Sequence, residues 1–151
     1  MTRVRVSIHI AKPRREVYEF AATPRKWPLW HPRLLSVSGV VDRPPEPGER
    51  VIEMVSVAGR RTRIAWQVTA HDGPERWAMV ARIPRRGEAA LEFRLARNGK
   101  GTLCECEIAY DGVNRLFDTL YVRPRVAAEA KRSLARLKQA LEPPPDERRP
   151  K

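Results

Sequence analysis

The chain has 151 residues, enough for one domain that buries roughly 70% of the surface its unfolded form would expose, so it needs no covalent staple to fold. Its net charge is +12, with 24 arginines against 6 lysines; this admits RNA, DNA or an anionic membrane as partner, but the arginines are scattered and favour a solvated basic surface over a defined footprint. The opening MTRVRVSIHI alternates charge with hydrophobe, which excludes a signal peptide or membrane span there.

Taken in chain order, Val4, Val6, Ile8 and Ile10 alternate with Arg3, Arg5, Ser7 and His9, the period of a strand with one buried face. The period then changes. KPRREVYEFAA carries proline where a first helical turn tolerates it, with Val17, Phe20 and Ala21 at helical spacing. Thr23 and Pro24 restart the chain as N-cap and first helical residue, and Pro28 and Pro32 keep this second helix short. Within it, RKWPLWHPR brings Trp27, Trp30 and His31 to one corner.

From Leu34 to Asp111 six apolar-alternating runs are separated by RPPEPGE, AGRR, HDGPER, IPRRG, RNGKG and YDG, a meander of antiparallel strands. Residues directly opposed in such strands share a face, so turn centres predict the registers. A turn at Asn98-Gly99 pairs Phe93 with Cys104, Leu91 with Cys106 and Ala89 with Ile108. Centring the previous turn on Arg85 pairs Trp77 with Phe93, Met79 with Leu91 and Ala81 with Ala89. Gly73-Pro74 sets Trp66 opposite Ala81 and Val68 opposite Met79. At AGRR two registers compete: a Gly59-Arg60 turn puts Glu53 opposite Trp66 on the inner face, and a slip of one residue puts Met54 there and Glu53 in water.

The cysteines, Cys104 and Cys106, lie two apart in a strand, pointing the same way at about 6.5 to 7 Å, a poor disulfide geometry. They read as small buried hydrophobes of a protein in the reducing cytoplasm. No further Cys or suitably spaced His completes a metal set, and neither metal nor cofactor is expected. RNGKGT lacks the spacing and the following helix of a phosphate loop. After Gly112, Leu116, Phe117, Leu120 and Tyr121 return to helical spacing, and Pro124 begins or kinks a long helix with Val126, Ala130, Leu134, Leu137 and Leu141 on one stripe. The ending EPPPDERRPK, proline and charge only, predicts a disordered tail over 143–151.

The order of elements predicts an α+β domain over 1–142: a curved seven-stranded antiparallel sheet around a long C-terminal helix, with two short helices after the first strand. SIHIAKPRREVYEFAATPRKWPLWHP, Pro47-Gly48, the glycine hairpin at Gly59, Gly101-Thr102 and the closing LARLKQALE resemble the START/Bet v 1-like (SRPBCC) helix-grip superfamily, in particular its polyketide cyclase/dehydrase and lipid transport group. The resemblance implies a hydrophobic small molecule, lipid-like or aromatic, held under the long helix; only some members are enzymes.

On that implied fold, Trp66, Trp77, Met79, Leu91, Phe93, Cys104 and Cys106, with Met54 in one of its two registers, form the cavity wall. Trp27 and Trp30 stand at the mouth, one plugging the sheet end and the other touching ligand, and Leu120, Tyr121 and Val126 supply the helix side. Catalysis would need an acid or base in this apolar space, for which Glu53, His31, Tyr110 and Tyr121 are the candidates. His9 faces outward and His71 lies in a hairpin, so no histidine-centred triad forms. A surface role would instead use Arg60, Arg61, Arg63, Arg85 and Arg86 on RNA, an acidic protein or an anionic membrane.

Overall fold

A computed structural model describes residues 2–57, 59–83, 87–111, 114, 116 and 118–142; the predicted tail, Arg85, Arg86 and Phe117 lie outside them. Strand β1 (Thr2–Ile10) is followed by helix α1 (Arg14–Ala22) and a 3-10 helix (Pro24–Leu29). Strands β2 (Leu34–Gly39), β3 (Arg50–Val57), β4 (Arg60–Asp72), β5 (Arg76–Ile83), β6 (Gly87–Asn98) and β7 (Gly101–Tyr110) then form the meander. A π-helical turn (Asp118–Val122) leads into the long helix α2 (Arg123–Leu141). The seven strands make one antiparallel sheet, ordered β1-β7-β6-β5-β4-β3-β2, so β1 closes on the last strand and the sheet curls around α2. This is the helix-grip fold.

The β5–β6 register is as the sequence predicts, with Trp77 opposite Phe93 and Met79 opposite Leu91. So is the outer half of β4–β5, where Trp66 faces Ala81 and Val68 faces Met79 before a bulge shifts the pairing. Two hairpins differ. In β6–β7, Phe93 pairs with Cys106, Leu91 with Ile108 and Ala89 with Tyr110, because the turn is Gly99-Lys100 and not Asn98-Gly99. Gly99, at φ 63, takes the first turn position, where a left-handed residue is required. In β3–β4 the closing pair is Val57–Arg60, so Glu53 faces Ile64 and Val51 faces Trp66. The first slip is by two residues and leaves every side chain on its expected face; the second is by two from the Gly59-Arg60 register, and so decides for the faces of that alternative over the other. Glu53 is therefore an inner-face residue, and Met54, paired with Arg63, lies on the opposite face.

Thr23 does precede the 3-10 helix, but its side chain makes no cap. Its hydroxyl donates back to the Glu19 carbonyl at 2.5 Å, satisfying the end of α1 instead. Pro28 sits inside the 3-10 helix and removes a donor that a longer α-helix would need.

Helix α2 explains why the grip is not closed. Its C-terminal half buries Ala130, Leu134, Leu137 and Leu141, each leucine contributing about 1.5–3 kcal/mol by leaving water. Lys138 Nζ donates to the His9 carbonyl at 2.7 Å, and Ala11 N–H donates to Glu142 at 2.9 Å, tying that end to β1. In the N-terminal half the inward stripe changes to Val126, Ala127 and Glu129, none fully buried. Smaller and charged side chains there leave the helix standing off β3–β6.

Candidate ligand pocket

The space beneath the start of α2 is a cleft of about 670 Å³ lined by residues of four regions. The corner after the 3-10 helix supplies His31, Pro32, Arg33 and Leu34; the sheet supplies Glu53, Val55, Ile64, Trp66, Met79 and Leu91; the π turn and α2 supply Tyr121, Val122, Arg125, Val126 and Glu129. A second cavity of about 170 Å³ continues under the helix past Trp30, Phe93, Cys106, Ile108 and Ser133, sharing His31, Leu91, Val126 and Glu129 with the first. The shared residues make His31 and Leu91 the waist of one channel. Its volume is in the range of small-molecule sites.

Among the described residues Glu53 is the one carboxylate set into the sheet wall of this channel. It is 6% exposed, and burial among apolar neighbours pushes its carboxyl up to about 7, because desolvation penalises the charged form. The Trp66 indole opposes that shift, yet no hydrogen bond of ordinary geometry joins the two, and Trp66 Nε1 is buried without a partner. His31 is pressed between Trp27 and Trp30, with ring centroids 6.0 and 4.1 Å away. Burial holds it down to about 4, so near pH 7 it is a neutral ring, not a cation. At the rim Arg33 Nε meets Glu129 Oε1 at 3.1 Å, an ion pair that spans the cleft from corner to helix.

The two corner tryptophans part ways. Trp27 is fully buried, donates from Nε1 to the Ala21 carbonyl at 2.9 Å, and stands edge-on to Trp77 at 5.6 Å. Trp30 borders the smaller cavity and stands edge-on to Phe93 at 5.7 Å, with its Nε1 buried and unpartnered.

Of the other sequence candidates, Trp66, Met79, Leu91, Tyr121 and Val126 line the larger cleft, and Phe93 and Cys106 the smaller cavity. Trp77 lies in the core beneath Trp27, and Cys104 is buried away from both spaces. Burial raises both thiols well above their ordinary range. Met54 lies outside because the realised register turns it to the far face. Leu120 is more than half exposed. Tyr110 points away from the channel, donating to Asp118 Oδ1 at 2.7 Å, while Thr2 donates to Asp118 Oδ2 at 2.5 Å. Among the described residues no group of three His, Cys, Asp or Glu side chains could hold a metal ion, and no helix is long and apolar enough to cross a membrane.

Sequence reasoning missed Arg33, Arg125, Glu129 and Ser133. A signal for the last two existed: Val126, Glu129, Ala130 and Ser133 follow helical spacing on the inward stripe, so a charge at 129 had to face the sheet or its rim.

Solved structures share this architecture. TTHA0849 from Thermus thermophilus superposes with a TM-score of 0.76 at 17% identity, covering 93% of this chain and 97% of that one. MLL2253 from Mesorhizobium loti gives 0.74 at 16%, covering 99% and 100%. CalU16 from Micromonospora echinospora gives 0.66 at 17%, covering 93% and 76%. At these identities the likeness is one of fold. Among curated proteins there is no sequence match. The profile of one family, however, matches residues 1–142, nearly the whole chain. With a helix-grip sheet, a channel under its long helix and that match, this chain belongs to the polyketide cyclase/dehydrase and lipid transport family.

Proposed function

We propose that the protein binds a hydrophobic small molecule, lipid-like or aromatic, in the channel between the sheet and the N-terminal half of α2. The observation that carries this reading is the channel itself, apolar along Ile64, Trp66, Met79, Leu91 and Val126, with few polar groups inside it, chiefly Glu53, the neutral His31 and Ser133. The family supports a role of this general kind. Native mass spectrometry of gently purified protein, followed by denaturation, tests it: a discrete small molecule of fixed mass is expected to be released. Leu91→Trp, at the waist of the channel, should remain folded and abolish that co-purification. A folded variant carrying the same molecule in the same yield would overturn the assignment.

Glu53 favours a second reading, that of an acid/base enzyme. A carboxyl titrating near 7 is present in both protonation states at neutral pH, as a group that takes and returns protons must be. It would remove a proton from a carbon beside a ketone and return it to a β-hydroxyl that departs as water, for a net loss of one water. Glu53→Gln is then expected to lower turnover of a β-hydroxy aryl ketone by about 10²–10⁴-fold while the ligand still binds. Equal turnover in the folded variant removes the enzymatic reading and leaves the binding one standing.

A further inference from the structure

The channel opens at the end of the sheet where the β3–β4 hairpin and the π turn leading into α2 border it, and large apolar side chains are exposed beside its polar rim. Leu116 is 68% exposed, Leu120 57% and Tyr121 54%. Leu120 and Tyr121 lie within the π turn that leads into α2, and Leu116 shortly precedes it. Tyr121 also lines the channel, so the exposed apolar surface and the channel mouth are continuous. Asp118, buried and bonded to Thr2 and Tyr110, fixes this segment to the sheet edge with its leucines outward.

The exposed charge beside this mouth is mostly positive. Arg125 borders the channel and is exposed, and Arg60 and Arg61 project from the neighbouring hairpin, where Arg61 pairs across the strands with Ser56 of the channel lining. Among the described residues none of these three arginines forms a salt bridge. The rim acid, Glu129, is already held by Arg33. Scattered single hydrophobes on a surface need no explanation, but two leucines and a tyrosine within six residues at the start of α2, with Arg125 at the same mouth and Arg60 and Arg61 on the adjoining hairpin, have the make-up of an interfacial anchor.

We propose that this end of the molecule docks on an anionic lipid bilayer, with Leu116, Leu120 and Tyr121 entering the headgroup region and the arginines meeting the lipid charge. Docked in this way, the channel mouth faces the membrane, so an apolar ligand can pass between bilayer and channel without crossing water. The proposal goes beyond the pocket reading and does not depend on it, because bilayer docking is measurable with the channel empty.

The test is sedimentation of the full chain with phosphatidylcholine vesicles, with and without phosphatidylserine. Binding to the phosphatidylserine vesicles alone is expected, weakening as salt rises. Leu116→Ser with Leu120→Ser, and separately Arg60→Glu with Arg125→Glu, should each lower partitioning at least about tenfold. These side chains are exposed, and unchanged melting temperatures would verify intact folds. No binding to the phosphatidylserine vesicles overturns the proposal. So does binding that the leucine pair leaves untouched, because a purely electrostatic partner such as nucleic acid would not need them.

Discussion

Trp27→Ala should destabilise the protein by about 3–5 kcal/mol, the cost of removing a large aromatic side chain from a packed core. Trp27 is 1% exposed. Its ring is wedged between Trp77 and His31, and its Nε1 donates to the Ala21 carbonyl, the last turn of α1. That bond makes the residue a joint: α1, the 3-10 corner and β5 meet on it. Trp27→Phe keeps much of the packing but leaves the Ala21 carbonyl without its donor, which should cost about 1–3 kcal/mol. Trp30→Phe removes no hydrogen bond, because Trp30 Nε1 has none, and should cost less than Trp27→Phe. Urea unfolding of the three variants checks the order. If Trp30→Phe were the more damaging of the two, the corner would be held by the residue that borders the cavity, and the division between core and wall drawn here would be reversed.

That division shows where sequence legibility ends. Alternation and turn residues are local, so the strands, their faces and the inward position of Cys104 and Cys106 follow from them. A register slip of two in the β6–β7 and β3–β4 hairpins changes partners without changing faces, which is why the wall of Trp66, Met79, Leu91 and Phe93 survives it. Glu53 turns on the difference between even and odd slips. Nothing local separates the two registers at AGRR, and only the realised Val57–Arg60 closure puts the carboxyl inside. The corner tryptophans are harder still. They are three residues apart with similar surroundings in sequence, and their fates separate because the 3-10 helix points one at the Ala21 carbonyl and the other at Phe93. The rim pair Arg33–Glu129 joins segments nearly a hundred residues apart in the chain, and no periodicity within either segment announces it.

Glu53→Gln should stabilise the protein at alkaline pH by up to about 4 kcal/mol and change little near pH 4. The folded carboxyl titrates at about 7, whereas the unfolded one titrates at about 4.3. Between those values the native state holds a proton that the unfolded chain has released, so the contribution of Glu53 to wild-type stability falls as pH rises from about 4.3 and levels off above about 7. Glutamine carries no charge at any pH and escapes this loss. His31, held down to about 4 when folded against 6.5 when free, adds stability as pH rises through an overlapping window, but it does so in both proteins and cancels in the difference between them. Urea midpoints of the two proteins across pH 4 to 9 are the measurement, and the gap between them should open through the window from about 4.3 to 7. A gap independent of pH would mean that Glu53 reaches water when ionised. The same ionisation sets the sign for ligands. An uncharged apolar molecule that displaces water from the channel raises the cost of the carboxylate further, so its binding should weaken as pH passes 7 in the wild type and stay level in Glu53→Gln. A ligand bearing an amine would do the opposite, because the buried carboxylate then has a cation to face. The direction of that slope therefore reports the charge of what the channel is built to hold.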